Sequence, residues 1–153
     1  MTESVSQPSK NNVFIGCCVI VQNADRHILL AKRKNGYKAG YYGLPGGRVE
    51  GPELLTDCAL RELREETDLQ AVHLQYLGVV REWQEDFPAD APNSFVHFVF
   101  LCREWEGTPI TKEPEKAALW EWYDPNNLPD PVLPGHFAAL KLFQSGDQLE
   151  DLV

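Results

Sequence analysis

The stretch Gly47–Leu69 reads GRVEGPELLTDCALRELREETDL, and its spacing decides how the rest of the chain is read. After Gly47 come five residues, Glu53, seven residues, Arg61-Glu62-Leu63, one residue, Glu65-Glu66, two residues and Leu69. Pro52 is tolerated in the first turn of a helix, where no N–H bond is lost, and acidic Glu53 and Asp57 suit the positive end of a helix dipole. From Leu54 to Thr67 Leu, Ala, Arg and Glu dominate without a breaker, so a helix entered through Pro52 and Glu53 is predicted. At about 100° per residue Glu62, Glu65 and Glu66 share one arc, so three carboxylates crowd one face. Like charges at these spacings each destabilise a helix by roughly 0.2–0.5 kcal/mol. Leu55, Ala59 and Leu63 flank the arc, which should therefore border the core and be half solvated.

An acidic helix face alone is commonly a solvated surface. Here Leu44-Pro45-Gly46-Gly47 stands just ahead of it. Paired glycines permit positive φ and close backbone approach, so a carbonyl can join a metal shell. Clustered carboxylates with few other donors suit a hard divalent cation. Mg²⁺ takes one or two carboxylates, keeps several waters, and shares the rest of its shell with substrate phosphates.

Eight of nine specified positions match the Nudix box, G-x5-E-x7-R-E-U-x-E-E-x-G-U with U aliphatic; the exception is Asp68, where the motif has Gly. The chain thus resembles the Nudix hydrolases, in particular their MutT-like branch, from about Val13 to Phe143. The resemblance implies an α/β Nudix fold, an α/β/α sandwich around a mixed β-sheet. It also implies cleavage of a pyrophosphate linkage in a nucleotide, with Mg²⁺ or, in its place, Mn²⁺. Carried over by position, Glu62 and Glu66 become metal ligands, Glu65 a ligand or water-orienting carboxylate, and the Gly47 carbonyl a further ligand. Arg61 pairs with Glu53 and holds the carboxylates. Asp68 is expected to end the helix in the left-handed conformation at modest cost, without loss of catalysis.

Farther along, EPEKAALWEWYDPNNLP (Glu113–Pro129) resembles a MutT-like subgroup of nucleoside-triphosphate diphosphatases in which a downstream acid joins the metal site. Glu115 is preferred to Glu113 for that role. Trp120 and Trp122 alternate to one face of a strand and either pack in the core or flank a nucleobase. Arg33 either meets phosphate or is a solvated surface residue beside Lys32 and Lys34. Arg33, Gly46 and Trp120 are the candidate substrate contacts. His97 reads as a packed strand residue with no assigned role.

The 153 residues, 43% hydrophobic, suit one domain over residues 13–146, with a disordered tail at 1–12 and a C-terminal tail at 147–153. Predicted strands cover Val13–Val21, His27–Lys32, Val72–Arg81, Phe95–Arg103 and Leu119–Tyr123, the first two forming a hairpin through Asn23-Ala24-Asp25. A loop is predicted at Gly36–Gly43, another from Trp83 to Ser94, and a terminal helix at Val132–Gln144. Cys17, Cys18, Cys58 and Cys102 lack ligand spacing and read as buried thiols of a cytoplasmic protein. No apolar run is long enough to span a membrane and Met1–Asn12 is polar. A net charge of −9 argues against a nucleic-acid polymer as partner. The expected partner is a nucleotide substrate, and the protein a monomer or homodimer.

The reading is a Mg²⁺-dependent nucleoside-triphosphate diphosphatase releasing a nucleoside monophosphate and pyrophosphate from an unmodified or oxidised triphosphate. Its rivals are a Nudix hydrolase of ADP-ribose or dinucleoside polyphosphates, and a nucleotide-sensing module without catalysis. The intact set Glu53, Glu62, Glu65 and Glu66 weighs against the last.

Overall fold

Strand β1 (Val13–Val21) organises the molecule because its second half is buried on both faces. Cys17, Val19 and Val21 join one apolar cluster, Cys18 and Ile20 another. That is why this segment reads as an unbroken apolar run rather than an alternating one. The computed structural model describes residues 13–84 and 94–152; the expected tail at 1–12 and nearly all of the expected loop between Trp83 and Ser94 lie outside them.

The other elements are β2 (Ile28–Lys32), β3 (Tyr42–Gly43), β4 (Gly46–Arg48), α1 (Leu55–Thr67), β5 (Gln70–Trp83), β6 (Ser94–Glu106), β7 (Glu121–Tyr123), α2 (Pro134–Ser145) and β8 (Leu149–Leu152). A mixed five-stranded sheet has the order β4-β1-β6-β5-β8, and a three-stranded antiparallel sheet the order β3-β2-β7. Helix α1 packs Cys58, Ala59 and Leu63 on the face carrying Cys17, Val19, Phe100 and Cys102. Helix α2 packs Ala138, Ala139, Leu140 and Leu142 against Cys18, Ile20, Val80 and Val99 on the other. The α/β/α sandwich around a mixed sheet is therefore as expected. Leu63 has no exposed surface; truncating such a residue to Ala costs about 2–5 kcal/mol. Among the described residues no helix is long and apolar enough to cross a membrane.

Four expectations change. The chain does reverse after β1, with the Asn23 carboxamide oxygen accepting the His27 N–H at 2.8 Å and a single antiparallel bridge Gln22–Ile28. No β1–β2 hairpin continues from it, because β4 and β6 occupy both edges of β1 and send β2 into the smaller sheet. Helix α1 begins at Leu55, not at Pro52. Glu53 closes a turn instead, its N–H reaching the Glu50 carbonyl at 3.1 Å while its carboxylate accepts the Glu50 N–H at 3.2 Å. The glycine pair has no positive φ. Gly46 and Gly47 form β4, where Gly46 lies so tight on β1 that a Cβ would sit 2.3 Å from the Cys17 carbonyl oxygen. Within 147–153, read as a tail, the described residues supply β8, which pairs in parallel with β5 and packs Leu152 against the α2-side core. Gly78 makes this docking possible, since a Cβ there would fall 2.4 Å from the Gln148 carbonyl oxygen.

At the end of α1 Asp68 takes φ 64°, ψ 11°, and its N–H caps the Arg64 carbonyl. Its carboxylate meets Lys112 Nζ at 3.2 Å, an exposed pair worth little. Asp68→Gly should therefore stabilise the protein by up to about 1 kcal/mol in thermal melts. Deleting residues 147–153 should lower Tm by about 5–10 °C, whereas a true tail could be removed without effect.

Candidate active site

The site is built where β4 meets α1. Gly47 must be glycine because Glu62 fills the space a side chain would need: a Cβ there would stand 2.4 Å from Cδ and Oε1 of the Glu62 carboxylate. One turn later Glu66 Oε2 accepts the Gly46 N–H at 3.2 Å. The i, i+4 spacing thus brings two acidic side chains onto the glycine strand.

Arg61 ties this arrangement together. Its guanidinium makes a bidentate pair with Glu53 at 2.7 and 3.0 Å. It also donates to Glu62 Oε1 at 2.7 Å, to Glu65 Oε2 at 3.2 Å and to the Arg48 carbonyl at 3.0 Å. A planar fork with five N–H donors can serve several oxygens at once, which a lysine cannot. The hydrogen bonds from Arg61 hold the Glu53 carboxyl down to about 2. Burial pushes Glu66 the other way, to about 8, aided by the charges of Glu62 and Glu113 and opposed by the Gly46 N–H. Glu62 is also raised by burial, against its bond to Arg61. Glu65 is half exposed.

Glu66, Gly46 and Gly47 open onto a cavity of about 580 Å³ between the two sheets. At this end Arg33, Glu113, Lys116 and Trp120 complete the wall. Arg33 is oriented by its Nε–H bond to the Tyr37 carbonyl at 3.0 Å, and its charge acts on Glu66. Trp120 packs against the α1-side core and donates its indole N–H to the Glu66 carbonyl at 3.1 Å, so it braces the end of the helix as well as lining the cavity. Trp122 stacks on Trp105 with centroids 5.6 Å apart. Glu113, not Glu115, faces the acids: it lines the cavity, pairs with Lys116 at 2.7 Å and raises both Glu62 and Glu66. Glu115 is exposed and meets its surroundings through its carbonyl, which accepts from Asn35 at 2.6 Å. The short turn in which the Lys116 and Ala117 N–H groups bond the Glu113 carbonyl turns the two acids apart, and sequence spacing could not resolve that.

Sequence reasoning missed the far end of the cavity. Glu82 and His97 line it, with His97 Nε2 at 3.2 Å from Glu82 Oε2, and His136 is beside them. The available signal was His97 within the apolar run Phe95–Leu101; Glu82, beside Arg81 near the end of a mixed strand, gave none.

The donor set suits a hard divalent cation. Two half-buried, mutually repelling carboxylates lie against a backbone strand beside a carbonyl, and a cation would relieve the cost that raises Glu66. Among the described residues no three His, Cys, Asp or Glu side chains already form a closed metal cage. Mg²⁺ does not require one, because water and phosphate commonly complete its shell.

A NUDIX domain model matches residues 14–143. A MutT NUDIX hydrolase from Burkholderia pseudomallei has a similar structure, with TM-score 0.77 and 30% identity over 86% of this chain and 98% of that one. A Bacillus subtilis protein provisionally named 8-oxo-dGTP diphosphatase is 30% identical, covering 87% of this chain and 81% of its own length. A Vibrio vulnificus NAD-capped RNA hydrolase is 28% identical over 84% of this chain, which spans 45% of that relative. The chain belongs to the Nudix hydrolase family.

Arg61→Lys should lower stability by about 1–3 kcal/mol, the scale of charge-assisted hydrogen bonds lost, and cut turnover at least tenfold. An unchanged melt and unchanged kinetics would show that the clamp does not organise the site.

Proposed function

We propose that this chain is a Mg²⁺-dependent nucleoside-triphosphate diphosphatase that yields a nucleoside monophosphate and pyrophosphate. The observation that carries the reading is the pair Glu62 and Glu66 pressed against Gly46-Gly47 at one end of a cavity of about 580 Å³, a size suited to one small ligand. Glu62, Glu66 and the Gly47 carbonyl would hold Mg²⁺ or Mn²⁺, which when bound polarises phosphoryl oxygens and lowers the pKa of water. Glu65, exposed and tethered to Arg61, accepts a proton from or orients the attacking water. Arg61 and Glu53 keep the carboxylates in register. Arg33 and Lys116 would meet phosphate oxygens and the Gly46 backbone would let a phosphate approach closely, a reading supported by all three lining the same cavity. Glu113 is the downstream acid that the geometry favours. The four free, buried cysteines suit a reducing compartment and support a cytoplasmic location.

A second reading, cleavage of a dinucleotide or cap pyrophosphate, draws on the similarity to the Vibrio vulnificus protein. The net charge of −9 opposes engagement of a long polyanion. Metal-dependent turnover across (d)NTPs, 8-oxo-dGTP, ADP-ribose and diadenosine polyphosphates separates the readings. A triphosphate should win by kcat/KM with pyrophosphate as product.

Glu62→Gln and Glu66→Gln should each lower kcat by orders of magnitude, because charge neutralisation at phosphate is lost, while the fold survives. Near-normal turnover in Glu66→Gln would remove it from the site. Glu113→Gln should lower activity and raise the Mg²⁺ concentration needed for half-maximal rate, with Glu115→Gln near wild type. The opposite ranking would return the role to Glu115.

A further inference from the structure

The cavity has a second polar end that phosphate chemistry does not use. Glu82 on β5 keeps 8% of its side-chain surface, yet it lines the cavity. Its carboxylate is held rather than loose: His97 Nε2 lies 3.2 Å from Oε2, and the Gln84 amide donates to Oε1. Gln84 in turn accepts the Tyr37 hydroxyl. Gly135, the second residue of α2, leaves room for the pair, since a Cβ there would sit 2.5 Å from Glu82 Oε2 and 2.7 Å from His97 Nε2. The start of a helix also favours a negative charge. His136 faces His97 edge-on at 5.6 Å. Burial lowers His136 to about 3, and its Nδ1 accepts the Leu44 N–H at 2.9 Å, so the ring stays neutral.

The walls between are flat and apolar. Phe95 stacks on His97 at 5.9 Å, and Phe14 meets Phe95 edge-on at 5.6 Å. In the sheet register Phe14 pairs with Phe95 and Phe95 with Glu82, while Gly47 pairs with Cys17 on the opposite edge of β1. Strand order puts β5 three strands from β4, about 14 Å at the usual strand spacing. One cavity therefore offers a phosphate-handling end, an aromatic lining and a remote buried carboxylate.

An ionised carboxylate is an acceptor with about four lone-pair sites. Two are taken by His97 and Gln84. The remainder suit a planar ligand edge carrying two adjacent N–H donors. We propose that Glu82 reads the nucleobase and selects a heterocycle with such an edge, the N1–H and N2–H₂ edge of guanine, with His97 as the residue that positions it. Adenine and cytosine each present an acceptor beside one donor, which would set a lone pair against the carboxylate. Uracil and thymine present one donor between two carbonyls. Loss of a buried polar match is the kind of discrimination that apolar contacts cannot supply. 8-Oxoguanine keeps the same edge, so this subsite accepts it alongside guanine.

This inference rests on the nucleotide reading above but not on triphosphate cleavage, and binding of monophosphates tests it apart from turnover. Dissociation constants for GMP, 8-oxo-dGMP, AMP, CMP and UMP would be measured by calorimetry on the full chain with Mg²⁺. Wild type should favour GMP and 8-oxo-dGMP over AMP at least tenfold. In Glu82→Gln that ratio should collapse to within about threefold of unity, with thermal melts reporting the fold. His97→Gln, which keeps a donor for Glu82, should retain the preference, and His97→Leu should weaken it. Equal affinity of wild type for all five, or an equal loss for every base in Glu82→Gln, would overturn the proposal. A guanine preference without triphosphate turnover would uphold this subsite and overturn the diphosphatase reading.

Discussion

The structure of the site depends on one cation. Arg61 faces Glu50, Glu53, Glu62 and Glu65 and also donates to the Arg48 carbonyl. Without it the acids of the turn before α1 would repel those of the helix, and the exit of β4 would lose its tie to both. With it, the turn folds back over the helix and the glycine strand is anchored at its exit. Glu66 stays outside the clamp, held by a backbone N–H and pushed up by burial. That division of labour leaves one carboxylate neutralised by the protein and another in need of a counter-ion.

The remaining architecture serves to bring that helix against that strand. β1 is the common wall of both cores, and β4 can lie on it only because Gly16 and Gly46 each lack a Cβ. The second sheet and the segment before β7 close the cavity from the other side, with the Trp120 indole fastened to the last turn of α1. Thr111, which lines the same cavity and accepts the Trp120 N–H at 3.4 Å, thereby contributes to where the acids stand.

The motif Gly47–Leu69, the ends of β1 and the left-handed Asp68 were legible because each rests on local chemistry: charge spacing, apolar runs and a short polar side chain at a helix exit. What escaped was decided by distant partners. Whether Gly46 and Gly47 bend or pair depends on β1, thirty residues earlier in the chain. Whether Asn23 nucleates a hairpin depends on who else claims the edges of β1. Glu113 and Glu115 are alike in sequence and differ only through a local turn that aims one inward. Glu82 and His97 look like ordinary strand residues until the register brings them to the same end of the sheet.

The cysteines carry a last consequence. Cys17 donates its thiol to the Leu55 carbonyl at 3.2 Å, and Cys18 has no exposed surface. Burial pushes Cys17 up to about 11 and Cys18 to about 12, so neither is a thiolate at neutral pH. Both lie in the strand shared by the two cores, next to the glycine ladder. Cys17 still borders the cavity, whereas alkylating reagents can reach Cys18 only when the packing around β1 opens, so the labelling rate of Cys18 becomes a built-in clock for the breathing of the strand on which the whole molecule is assembled.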